Sequence, residues 1–64
     1  MVKINGTAHD VSGKTIAEYL AMTEYSPKRI AVERNGWIVP KAKYEETILQ
    51  DDDNIEIVNF VGGG

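Results

Sequence analysis

The stretch of this 64-residue chain most suggestive of chemistry is its end, Val61-Gly62-Gly63-Gly64. Glycine loses more conformational freedom on ordering than any other residue, so three in succession cannot stabilise a compact fold. Lacking side chains, they can enter a channel too narrow for other residues and present the Gly64 α-carboxylate to a partner's active site. The same run also fits a frayed terminus or an expression remnant. Both readings stand, although the glycines begin one residue after Phe60 in a chain with no other loose segment.

The other candidates carry less. Asp51-Asp52-Asp53 lacks the alternate spacing and later glutamate of a calcium loop and reads as a solvated turn. His9, Asp10 and Ser12 are triad residue types, but neighbours along a strand cannot converge on one reacting atom. His9 reads instead as a surface strand residue. Lys41 and Lys43 could meet an acidic surface or simply face water, and Trp37 could serve core or interface. Gly6, Gly13 and Gly36 stand singly, so there is no phosphate-cradling loop.

Composition bounds the rest. Sixty-four residues make one small domain, whose core typically supplies no more than about 3–5 kcal/mol. No cysteine is present to form a disulfide or a thiolate zinc site, and one histidine makes a structural metal improbable. A cleft of roughly 300–1,000 Å³ would hollow out so small a core. Seven basic against ten acidic residues give a net charge of −3 with no basic stripe, which argues against nucleic acid and anionic membranes. Neither a signal peptide nor an apolar run of the ~20 residues needed to span a bilayer is visible. The expectation is a soluble, acidic, cytoplasmic domain with no catalytic apparatus of its own.

The elements that must position the tail are set by periodicity. Val2 and Ile4 alternate with polar residues, and Asn5-Gly6 signals a type I′ hairpin returning over Thr7 to Val11. Thr15 with Glu18 matches a capping box. Ile16, Tyr19, Leu20 and Thr23 continue at helical spacing, predicting two to three turns that end before Pro27 and pack on a sheet through Ile16 and Leu20. Residues 30–34 and 37–39 form a second hairpin around Asn35-Gly36, and Lys41 to Glu46 makes a turn or short 3₁₀ piece. A brief edge strand is expected at Thr47-Ile48-Leu49, and residues 55–60 form the last strand. An α+β domain with a mixed sheet and one helix across it packs these pieces economically.

Parity in the last strand puts Ile55 and Ile57 on one face and Glu56, Val58 and Phe60 on the other. One helix cannot cover both faces. With the isoleucines inward, Val58 and Phe60 form a docking surface beside the tail, unless a strand bulge or Tyr44 covers them.

At full length the chain resembles the ThiS family of thiamin-pathway sulfur carriers, within the β-grasp, ubiquitin-like superfamily. The resemblance is carried by the segment from Ile30-Ala31-Val32-Glu33-Arg34-Asn35-Gly36 through Trp37-Ile38-Val39-Pro40, by Asp53-Asn54-Ile55-Glu56-Ile57-Val58, and by Phe60-Val61-Gly62-Gly63-Gly64. Three glycines stand where some members end in two. The resemblance implies a β-grasp domain over residues 1–60 and a flexible tail over 61–64. It further implies a protein co-substrate, not an enzyme, with no cofactor of its own. An E1-like, ThiF-like adenylyltransferase would activate Gly64 with ATP, and sulfur from a donor such as a cysteine desulfurase would convert it to a thiocarboxylate. A ThiG-like thiazole synthase would then take the sulfur. Val58, Phe60, Val61, Gly62 and Gly63 would contact the partners. The alternatives are a sulfur carrier like the molybdopterin synthase small subunit, and a ubiquitin-like interaction module or modifier.

Overall fold

A computed structural model describes residues 1–60 of the chain. Six elements organise them: β1 (Val2–Ile4), β2 (Thr7–His9), α1 (Ile16–Ala21), β3 (Ile30–Arg34), β4 (Trp37–Val39) and β5 (Asn54–Asn59), with 3₁₀ turns at Pro27–Arg29 and Lys41–Lys43. The five strands form one mixed sheet in the order β2-β1-β5-β3-β4. The last strand therefore lies at the centre, parallel to β1 and antiparallel to β3.

Local sequence explains both hairpins. Asn5 and Gly6 have φ of 50° and 86°, and Asn35 and Gly36 have 52° and 89°. Positive φ at both central positions is the type I′ requirement, which asparagine and glycine meet most readily. The capping box is also present. The Glu18 amide donates to Thr15 Oγ1 at 3.0 Å, and the Thr15 amide donates to Glu18 Oε1 at 2.8 Å.

The helix lays Ile16, Tyr19 and Leu20 on one face of the sheet. There they join Val2, Ile4, Ile30, Val32, Ile55 and Ile57, while Val11, Tyr44 and Leu49 close the core from the connecting segments. Burial pushes the Tyr19 hydroxyl pKa up, and the same cause acts on Tyr44.

The structure corrects several expectations. The helix has six residues, fewer than two turns. It stops because both the amide and the hydroxyl of Thr23 donate to the Leu20 carbonyl, after which the Tyr25 amide donates to Thr23 Oγ1. A helical-looking residue here acts as a terminator by bonding back to the main chain. The returning strand β2 ends at His9 rather than Val11. Thr47-Ile48-Leu49 forms no strand but a single bridge, Ile48 to Thr15, lying against the segment that leads into the helix. An open groove of about 450 Å³ runs between α1 and the second 3₁₀ turn, lined by Ala17, Leu20, Tyr25, Lys41 and Tyr44 among others. It is a surface feature that leaves the core filled, so a small core does not preclude it.

Asp53 is the largest departure at the residue level. Asp51 and Asp52 are exposed, whereas Asp53 is only 7% exposed. Its carboxylate accepts from Arg34 Nε at 2.9 Å, Asn35 Nδ2 at 3.0 Å and the Gln50 amide at 3.0 Å. Burial alone pushes its pKa up, but the Gln50, Asn35 and Arg34 donors outweigh that and hold it below the usual carboxylate range. Asp51 accepts from the Met1 ammonium at 2.6 Å and from the Ser12 hydroxyl, and these donors hold its pKa low as well.

Candidate functional site

β5 determines what the end of the described chain displays. Ile55 and Ile57 are buried under the helix, and Glu56, Val58 and Phe60 point the other way. Val58 is 53% exposed and Phe60 is 49% exposed. The strand carries no bulge in its pairing with β3, and Tyr44 is buried in the core on the opposite face, so neither covers them. The docking-surface alternative therefore has its geometric condition met at both residues. Val61, Gly62, Gly63 and Gly64, including the reactive carboxylate expected at Gly64, lie outside the described residues.

Neighbouring strands shape this face. Register places Glu56 opposite Glu33 and Val58 opposite Ala31, while Glu33 also faces Ile38 on β4. The uncovered face therefore carries Ile38, 63% exposed, together with Val58, Phe60 and two glutamates. Trp37, beside Ile38, is 79% exposed and so belongs to the surface, not the core.

Ile38, Glu33 and Glu56 were absent from the residues expected to matter. A signal for the first pairing existed, because a two-residue Asn-Gly loop fixes Glu33 opposite Ile38. The Glu33–Glu56 pairing joins residues far apart in sequence, with no turn between them to specify it.

Both strands flanking the central β3–β5 pair stop short of its end. β1 pairs with β5 only at Asn54 and Ile55. Beyond that point the Asn5 side chain takes over: its Oδ1 accepts from the Ile57 amide at 2.8 Å and its Nδ2 donates to the Ile57 carbonyl at 3.3 Å. On the other flank, β4 ends before Pro40, which has no amide proton to donate. Lys41 Nζ there donates to the Ile30 carbonyl at 2.8 Å. The Phe60 amide still reaches the Arg29 carbonyl at 2.7 Å. A narrow, side-chain-capped ribbon thus carries the chain toward residue 61.

His9 is half-buried and packs edge-on against Tyr19, with ring centroids 6.1 Å apart. It sits at the end of β2, as a strand residue should. Among the described residues, no group of three or more His, Asp or Glu side chains could hold a metal ion. No helix among them is long and apolar enough to cross a membrane.

Comparison with known proteins adds an independent line. A family model described as the ThiS family matches residues 2–64. The chain is 46% identical over 68 aligned positions to the sulfur carrier protein ThiS of Bacillus subtilis, covering the whole of both chains. It is 41% identical to a thiazole synthase of Magnetococcus marinus, an alignment covering 98% of this chain and 20% of that protein. A thiazole synthase of Paramagnetospirillum magneticum is 40% identical over 95% of this chain and 19% of its own length. The chain therefore spans about a fifth of the length of these two relatives. Among solved structures, the thiamine biosynthesis protein (ThiS) of Geobacter metallireducens superposes with a TM-score of 0.76 at 27% identity, covering 98% of this chain and 97% of that one.

Proposed function

The chain belongs to the ThiS family of thiamine-biosynthesis sulfur carriers, and on that premise we propose that its Gly64 carboxylate is the group that carries sulfur. The fold is the β-grasp arrangement of that family, a mixed five-stranded sheet with one helix across it. An E1-like adenylyltransferase binds the sheet face around Val58 and Phe60 and threads Val61, Gly62 and Gly63 into its site. There the Gly64 carboxylate attacks ATP and pyrophosphate leaves. The resulting acyl-adenylate is a far better electrophile than a resting carboxylate. The terminal sulfur of a cysteine desulfurase's persulfide attacks the acyl carbon and displaces AMP. A thiol then reduces the resulting acyl disulfide, leaving a thiocarboxylate that thiazole synthase consumes. A chain without cysteine has no thiol of its own to compete for that sulfur.

The observation that carries this reading is the exposure of Val58 and Phe60 at the C-terminal end of the central strand, a few residues before the glycines in sequence. Ordering each backbone residue costs roughly 1–2 kcal/mol, with glycine at the high end. Threading four residues therefore needs an offset, and apolar burial at Val58 and Phe60 supplies part of it. The thiazole synthases of Magnetococcus marinus and Paramagnetospirillum magneticum contain a stretch similar to nearly all of this chain, which favours thiazole synthase as the acceptor.

The test is intact mass after incubation with ATP, an E1-like adenylyltransferase, a cysteine desulfurase with cysteine, and a thiol reductant. The expected shift equals one oxygen replaced by sulfur, and it disappears when Gly62, Gly63 and Gly64 are deleted together. A mass increase that survives the deletion, or no increase at all, sinks the proposal. Amide conjugates to lysines of other proteins would mark a modifier instead.

A further inference from the structure

The outer sheet face holds a contact that works against the fold. Glu33 on β3 and Glu56 on β5 stand directly opposite each other on the same face. Like charges in that position destabilise a sheet. Neither forms an ion pair among the described residues, where the ion pairs are Met1–Asp51, Arg34–Asp53 and Lys43–Glu46. Toward the C-terminal end of β5 the cross-strand neighbours are apolar, with Ile38 beside Glu33 on β4 and the Ala31–Val58 pair next along the strands. Beyond that pair the face is apolar on one side, with Ile38, Val58 and Phe60 all exposed, and polar on the other, with Asn54 and the exposed Lys3 paired across β5 and β1. A carboxylate pair with no ion-pair partner, at the edge of an exposed apolar patch, is complementary to one kind of surface: an apolar one with a cation at its border.

We propose that the Glu33–Glu56 pair is the electrostatic address of this docking face, received by an arginine or lysine on the apolar surface of the activating adenylyltransferase. The inference rests on the sulfur-carrier reading for its partner and adds a recognition element to it. A guanidinium facing the two carboxylates would meet both with its fork of donors. Docking would then remove the repulsion that the free protein bears, so the pair opposes folding slightly and favours association. Such charges act mainly on partner choice, on-rate and salt dependence.

Glu33→Gln with Glu56→Gln tests this, because the proposal requires opposite signs in two measurements. The double variant should melt at a higher temperature than the parent. It should also bind the adenylyltransferase at least about five-fold more weakly at low ionic strength, with a flatter dependence of affinity on salt. A control that removes two negative charges elsewhere, Glu24→Gln with Asp52→Asn, should leave affinity and salt slope unchanged. Equal binding by the double variant and the parent across the salt range overturns the proposal. So does an equal loss in the control, which would reduce the effect to net charge. Intact mass separates this failure from that of the function itself. If the parent chain gains sulfur normally while the double variant binds like the parent, only the address is wrong. If the parent gains no sulfur, the carrier reading has failed.

Discussion

The two ends of β5 are built to opposite specifications. At its start, Asp53 is buried and receives three donors, from Arg34, Asn35 and the Gln50 main chain. The Asn54 amide also donates to Asn35 Oδ1, so the second hairpin turn is stitched to the base of the central strand. At its finish, β1 and β4 have both ended, two side chains stand in for them, and Val58 and Phe60 face outward. The first end anchors the strand, and the second leaves its outward-facing side chains uncovered. A chain of 64 residues with no disulfide needs the anchor so that the presenting end can remain uncovered.

The largest effect on this contrast is expected from Asp53→Ala. Removing the acceptor leaves a main-chain amide, an amide side chain and a guanidinium without their partner, at a cost of about 2–3 kcal/mol. For a domain of this size that is most of its stability, so chemical denaturation should show a largely unfolded or very weakly folded protein. A loss below about 1 kcal/mol would show that the anchor is not where stability lies.

The same carboxylate makes a pH prediction. Its folded pKa is depressed, so its contribution is fully present above the unfolded value of about 3.9 and is lost as pH falls through the lower folded value. Unfolding free energy measured from about pH 6 down to about pH 2 should therefore drop more steeply for the parent than for Asp53→Asn. Parallel profiles would remove Asp53 from the account of acid sensitivity.

Asn5→Ala should cost about 1–2 kcal/mol, because it removes both amide contacts to Ile57 and places alanine at positive φ. Asn5→Gly keeps the turn geometry accessible and isolates the contacts to Ile57. If glycine restored full stability, Asn5 would be a turn residue only and not a substitute for the missing length of β1.

These residues also show what sequence could reveal. Both Asn-Gly turns, the capping box and the parity of residues 55–60 were legible because each depends on residues close together in the chain. Parity alone assigned Val58 and Phe60 to the face away from the isoleucines, which is where they stand. Asp53 was not legible: three aspartates in succession have one composition, and only the fold returning through Arg34 and Asn35 singles out the third. The Glu33–Glu56 pairing was hidden for the same reason, since a nonlocal register creates it. The early end of the helix was a competition between helical spacing and a threonine hydroxyl, which the hydroxyl won.

The smallest effect on stability should come from the presenting end, and there the comparison is sharpest. Phe60→Ala removes a ring that is half exposed and outside the buried core, so unfolding free energy should change by no more than about 0.5 kcal/mol. Its backbone bond to Arg29 does not depend on the side chain and survives the substitution. If the ring contributes to docking, the same variant should bind the adenylyltransferase more weakly and form thiocarboxylate more slowly at subsaturating enzyme, recovering as enzyme is raised. That recovery separates lost docking from a blocked tail, because Gly63 replaced by a bulky residue should stop conversion at any enzyme concentration. Phe60→Ala with unchanged affinity would sever the link between exposure and recognition. A large stability loss in the same variant would instead make Phe60 part of the fold, and the two ends of β5 would no longer differ in kind.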